Sequence, residues 1–211
     1  MVTVAKKAGR PANQELRERR IEEILASATR AFAQHGYRNT DVQTIADELA
    51  IGKGTVYRYF PSKQELFFGA VDRGMSRFLE HLTCQADQHT DPLKRVGTVV
   101  HAYLSYFDGH PDLVELLIQE RSEFRDRERN SYFLHCDERI GRWHDAFRNI
   151  LASGVCRDLS VESMFDVVSN LLYGTMFTNF FQGHERSVNE QAHDILDIFY
   201  RGILKPEHHP K

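Results

Sequence analysis

The sequence predicts an all-α protein of about nine helices, a three-helix head followed by a larger helical domain. Three observations predict it. Apolar residues recur at spacings of three and four along almost the whole chain, strand-like alternation is rare, and only six prolines interrupt the 211 residues. A hydrophobic share of 41% beside 27% charged residues belongs to a soluble globular chain that buries a sizeable core. No run of eighteen apolar residues suggests a membrane helix. The opening MVTVAKKAGRP is basic but lacks the apolar run of a secretory signal. Cys84, Cys136 and Cys156 are odd in number, far apart and without a CxxC pair. They support neither a disulfide framework nor a zinc site, and they fit a reducing cytoplasm.

Each element follows from its own signals. Residues 1–12 read as a flexible basic arm carrying Lys6, Lys7 and Arg10. The first helix is expected over Asn13–Gln34, with Ile21, Ile24, Leu25, Ala28 and Phe32 on one face and Gly36 as its C-terminal stop. Thr40 or Asp41 then caps a short helix whose Val42, Ile45, Ala46 and Leu49 face inward. Ile51-Gly52 makes a tight turn into a second short helix, Lys53–Tyr59, which Pro61 stops. Ser62 and Glu65 form a capping box for a helix reaching about Ala86. Further helices are expected at about 92–107, 111–124, 127–153, 160–182 and 188–204. The first opens on Asp91-Pro92, with proline at its first position. Gly109-His110-Pro111, Ser153-Gly154 and Gln182-Gly183-His184 punctuate the series, and the polar tail 206–211 is expected to fray. The domain boundaries so drawn are 13–65 for the head and 66–205 for the larger domain.

The charge is uneven. Residues 1–65 hold 11 Lys and Arg against 8 Asp and Glu, a balance of +3, while the rest of the chain carries −6. Two short helices joined by a tight turn, with a longer helix packed across them, make a helix-turn-helix. A helix that enters the major groove needs small or polar residues at its leading end. Lys53, Gly54 and Thr55 supply a cation, an absence of bulk and a hydroxyl, Tyr57 and Tyr59 add long donors, and Val56 and Phe60 turn to the core. Arg17, Arg19 and Arg20 alternate with glutamates, which is the pattern of a solvated face with pairs four residues apart, with DNA contact as the competing use. Tyr37 and Phe60 read as core rather than as stacking platforms.

Residues 31–67 resemble, without a gap, the helix-turn-helix signature of tetracycline-repressor (TetR) type regulators. Phe32, Gly36, Tyr37 and Thr40 match its opening, Ile45, Ala46 and Leu49 its middle, and Gly54, Val56, Tyr57, Tyr59, Phe60, Lys63 and Leu66 its close. Ala50 stands where the family's turn usually has glycine. The resemblance implies phosphate contacts from Thr40, Tyr57 and Lys63. It implies groove or base contacts from Gln43, Lys53, Gly54, Thr55 and Tyr59, with Arg58 either reaching DNA or standing at the rim. Lys53 is the candidate for a guanine edge.

The same resemblance implies a homodimer on double-stranded operator DNA, released when a small-molecule inducer binds the second domain. The family places dimerisation in the last two helices. Phe165, Val168, Leu172, Met176, Phe180, Ile195 and Phe199 are the candidates, with an intrachain core as the competing use of the same side chains. The candidate pocket residues are Tyr103, Phe107, Leu117, Arg121, Phe124, Trp143, Phe147, Tyr173 and Phe177.

No paired acid and base, nucleophile elbow, Walker loop or dinucleotide fingerprint is present, so neither an enzyme nor a cofactor is expected. The eleven histidines lack metal-ligand spacing. The main alternatives are a nonspecific architectural DNA binder, which the acidic second domain disfavours, and a regulator that works without a small ligand.

Overall fold

A computed structural model describes residues 11–183 and 185–209, with side chains from Gln14 onward. Lys6, Lys7 and Arg10 of the expected basic arm lie outside the described residues. Among those residues the chain forms nine α-helices: α1 (Pro11–Asn39), α2 (Val42–Glu48), α3 (Lys53–Tyr59), α4 (Lys63–Ala86), α5 (Pro92–Gly109), α6 (Pro111–Glu123), α7 (Ser131–Ala152), α8 (Val161–Gln182) and α9 (Val188–Ile203). None is long and apolar enough to cross a membrane. The chain divides into two compact units between Arg73 and Gly74, not between residues 65 and 66. The physical reason is that Leu66, Phe67 and Ala70, the first turns of α4, are buried in the head.

The first unit is built on periodicity. Ile24, Leu25, Ala28 and Phe32 of α1, Val42, Ile45 and Ala46 of α2, and Val56 of α3 are buried together with Leu66 and Phe67. Phe67 meets Phe32 and Tyr37 edge-on, each with ring centroids 5.2 Å apart. Ser27, fully buried on α1, donates to Glu48 of α2 at 2.6 Å, and Arg30 pairs with the other oxygen of that carboxylate. These two contacts, Ser27 first, hold the Glu48 carboxyl below its ordinary range. Helical hydrogen bonding runs on past Gln34, but Gly36 breaks the helical backbone with φ 78°, ψ 157°. Only glycine adopts that conformation cheaply, so Gly36 bends the chain towards α2.

In the second unit α5 packs against α6, α7, α8 and α9. Asp91 caps it, accepting from the Leu93 and Lys94 amides. Its inward stripe is Val96, Val99, Val100, Tyr103, Leu104 and Phe107. Tyr200 of α9 donates to the Leu93 carbonyl at 2.7 Å. At Gly74 a Cβ would fall 2.5 Å from Leu113 Cδ1, so the crossing of α4 with α6 requires a residue without one.

Helix α7 begins at Ser131 rather than near 127. Phe124 closes α6, and Asn130 opens α7 by accepting from the Phe133 amide. Between them the buried Glu120 accepts from Arg127 at 2.7 Å and from the Ser131 amide and hydroxyl at 2.9 and 3.0 Å, which fixes the connection. Residues 205–209 are also more ordered than their polarity suggests. The Lys205 amide donates to Val155 at 2.9 Å, the Arg157 amide to Ile203 at 2.9 Å, and a 3₁₀ turn follows at Pro206–His208.

Candidate nucleic-acid interface

The α2–α3 corner is set by its caps and turn. Asp41 accepts from the Gln43 amide at 2.9 Å and caps α2. The turn closes with the Ile51 amide on the Ala46 carbonyl at 2.9 Å, and Ala50 takes φ 52°, a left-handed value. That conformation is what the family's glycine normally supplies.

Only Val56 of α3 is fully buried. With 3.6 residues per turn, Gly54 and Arg58 point directly away from Val56. Lys53 and Tyr57 lie on one flank of that outward stripe, and Thr55 and Tyr59 on the other. A Cβ at Gly54 would meet nothing within 4 Å, so the outward face is open at this point. Lys53 Nζ sits 2.8 Å from Asp41, tying the first flank to α2. That hydrogen bond raises the Lys53 pKa, while the Gln43 amide and then Lys53 lower that of Asp41. Gln43 is exposed and donates to Asp47 at 2.7 Å. Arg58 stacks over the Tyr59 ring, 5.5 Å from its centroid. Lys63 donates to the Arg38 carbonyl at 3.0 Å and lies 5.0 Å from the centre of the Tyr37 ring.

Thr40 differs from its expected role. It is 4% exposed, and its hydroxyl donates to main-chain carbonyls of Gly36, at 2.7 Å, and Ala31, at 3.2 Å. It fastens the bend after α1 and presents no hydroxyl to a phosphate. The other eight expected contact residues occupy α2, α3 and the first turn of α4. Sequence reasoning left out Asp41, whose spacing of twelve residues from Lys53 carries no helical signal.

The second unit holds two adjoining spaces. A small apolar chamber of about 80 Å³ is walled by α4, α5, α7 and α8. Of the expected pocket residues it takes Tyr103, Trp143 and Phe147. An open groove of about 750 Å³ takes Leu117, Arg121, Tyr173 and Phe177, together with Arg125 and Phe181. Phe107 belongs to the core behind the chamber, 4.6 Å from Phe78 between ring centres, and Phe124 is the cap of α6. Tyr132, which sequence reasoning missed, lines both spaces. Its hydroxyl lies 2.8 Å from that of Tyr103 in a buried pair, and burial raises both pKa values. Burial also pushes the Cys136 thiol, on the chamber wall, up to about 11.

Several residues expected at a subunit interface lie elsewhere. Val168, Leu172, Met176 and Phe199 are buried within the chain itself, and Phe165, Val168 and Leu172 line the chamber. Phe180 and Ile195 are half-buried. The reason is that α8 is apolar on two sides. Its exposed side carries Val167, Leu171 and Phe181, at 54%, 40% and 66% exposure, and Ile198 of α9 is 69% exposed.

Comparison with known proteins places this geometry. Residues 24–70 match the family of bacterial regulatory proteins described as the tetR family. The chain spans about half the length of some curated relatives it matches. It is 27% identical to the HTH-type transcriptional regulator HbdR of Aromatoleum over 111 residues, 53% of this chain and 48% of HbdR. The match to the HTH-type transcriptional repressor KstR2 of Mycobacterium tuberculosis is longer, 28% identity over 189 residues, or 87% of this chain and 92% of that protein. The solved structure of KstR2 has a TM-score of 0.65 at 24% identity, covering 88% of this chain and 95% of that one. FadR of Bacillus halodurans shares the fold with a TM-score of 0.73 at 16% identity, over 97% and 100% of the two chains. A helix-turn-helix whose α3 turns an open stripe outward, on an all-helical frame shared with such regulators, agrees with the match: residues 24–70 form a DNA-binding domain of the tetR family of bacterial regulatory proteins.

Proposed function

We propose that this regulator is a cytoplasmic repressor that binds a palindromic operator as a homodimer and leaves it when an apolar small molecule enters the second unit. The observation that carries the DNA part is α3, which buries only Val56 and turns Gly54 and Arg58 outward between two polar flanks. Lys53 and Gln43 are the base-reading candidates. Tyr57 and Lys63 are the phosphate candidates, which set affinity without setting sequence.

The dimer rests on the exposed side of α8 and on Ile198. Val167, Leu171, Gly174, Thr178 and Phe181 fall on one stripe, and a Cβ at Gly174 or at Gly202 of α9 would meet nothing within 4 Å in its own chain. An apolar stripe of this kind marks a partner surface, and a second copy satisfies it as a two-fold contact.

The ligand reading rests on the chamber and groove. At about 80 Å³ the chamber is below the range of roughly 300–1,000 Å³ that drug-sized ligands occupy, so a ligand must widen it from the groove. Aromatic walls suit an apolar skeleton, and Arg121 and Arg125 suit an acidic or polar end. The similar structures named as a ketosteroid transcriptional regulator and a fatty acid degradation regulator point towards apolar skeletons too. A ligand that binds the DNA-free form more tightly lowers operator affinity by that difference.

Selection of binding sites from random duplex DNA, with light scattering on the complexes, tests the reading. A palindromic consensus bound by an even number of chains supports it. Duplex binding with no enriched sequence overturns it in favour of architectural binding.

A further inference from the structure

Arg17 is exposed, yet it lies on the core-facing side of its helix. It precedes Ile21, Ile24 and Ala28 by four, seven and eleven residues, which puts it on the stripe of α1 that faces the core. Ile24 and Ala28 on that stripe are fully buried. At Arg17 the same stripe has run past the core, and it overhangs the last turn of α3. There Leu16, Arg17 and Arg20 of α1 and Arg58 and Tyr59 of α3 line an open cleft of about 640 Å³. Three guanidinium groups line this space, and among the described residues no carboxylate does. Glu23 pairs with Arg20 at 2.8 Å from outside the lining. Arg19, two residues on, is also exposed but lies on the opposite side of α1 from the core stripe.

The cleft has a fixed place relative to α3. One flank of the outward stripe, Lys53 and Tyr57, is tied to α2 through Asp41. The other flank ends in Tyr59, which is part of the cleft. A helix in the major groove lies between two phosphate backbones, one along each flank. Of the candidates already named only Arg58 brings a cation to the Tyr59 flank, and Arg17 and Arg20 add two.

We propose that this cleft is a second phosphate-binding site, in which Arg17 and Arg20 of α1, with Arg58, grip the DNA backbone bordering the Tyr59 edge of α3. It rests on the reading of α3 as the groove helix. Planar guanidinium forks bind phosphate oxygens in pairs, so this site adds affinity and fixes orientation while carrying no base preference.

The test is the salt dependence of binding to a long mixed-sequence duplex and, where selection yields one, to the operator. Each phosphate contact contributes a slope of about 0.9 in log affinity against log salt. The double variant Arg17→Gln/Arg20→Gln should therefore be shallower than wild type by about 1.8, with its sequence preference unchanged. Arg17→Lys/Arg20→Lys should keep most of the wild-type slope. Arg19→Gln, which removes the same kind of charge from the outward face, should change it little. Matching helicity of all variants excludes misfolding at these surface positions. A double variant no shallower than Arg19→Gln overturns the proposal. Wild-type protein that binds duplex DNA without sequence preference, but with the slope loss intact, upholds this site and removes the sequence-specific reading. Failure of wild type to bind any duplex removes both.

Discussion

Replacing Ala50 by glycine should stabilise the protein, and replacing Gly36 by alanine should destabilise it, for one reason with opposite signs. Ala50 holds φ 52°, and Gly36 holds φ 78° with ψ 157°. A left-handed conformation costs an L-residue about 1–2 kcal/mol. Glycine avoids that cost but loses about 0.4–1 kcal/mol through the greater freedom of the unfolded chain. The balance for Ala50→Gly is a gain of roughly 0.5–1 kcal/mol. The Gly36 conformation is nearly closed to other residues, at about 1–3 kcal/mol, so Gly36→Ala should lose roughly 1–2 kcal/mol net. No steric clash confuses the second case, because a Cβ there would meet nothing within 4 Å. Urea unfolding followed by far-UV circular dichroism measures both. With a slope near 1–2 kcal/mol per molar urea, the midpoints should move by about half a molar, upward for Ala50→Gly and further downward for Gly36→Ala. The single tryptophan, Trp143, lies in the second unit and reports its transition in parallel. A lowered midpoint for Ala50→Gly would refute the reasoning, because unfolded-chain freedom would then outweigh backbone strain.

Other consequences follow from the same contacts. Thr40→Val should destabilise by about 1–2 kcal/mol, because the Gly36 and Ala31 carbonyls lose their hydroxyl donor, yet leave the salt slope of DNA binding unchanged. A shallower slope would return Thr40 to the phosphate. Tyr103, Tyr132 and Tyr173 all titrate above their ordinary value, and Tyr200 is pushed up to about 12. The unfolded chain sheds these protons near pH 10, so stability should be intact below about pH 10 and fall as the pH rises beyond it. A flat stability profile through that window, followed by denaturant midpoint, would contradict the burial of these hydroxyls. Leu171→Glu places a charge on the exposed stripe of α8 and should convert dimers to folded monomers by light scattering; unchanged mass would put the interface elsewhere.

Much of this was legible in the chain. The bounds of α3, the Ser62 cap of α4 and the Asp91-Pro92 start of α5 follow from local signals that tertiary packing does not alter. What was not legible depended on direction in space. Thr40 has the residue type of a phosphate donor, but the bend at Gly36 turns its hydroxyl onto the main chain. The charged run after Glu120 continues a helical pattern through residues 124–130, and only the buried Glu120 carboxylate, gathering Arg127 and Ser131, ends it. Helix α8 is apolar on two sides, so periodicity alone does not say that Val168 and Leu172 face inward while Val167 and Leu171 face out. Arg17 shares its spacing with both the glutamate-paired surface and the core stripe, and the packing of α1 over α3 decides between them.

The central claim is that α3 reads DNA sequence, with Lys53 at a base edge. Its most direct test is the preference profile selected from random duplex DNA by wild type and by Lys53→Ala, each at the same near-physiological salt. The account predicts a palindromic consensus for wild type and, for the variant, the same palindrome with preference relaxed at one position in each half-site. Identical profiles for the two proteins would contradict the assignment of Lys53 to base readout.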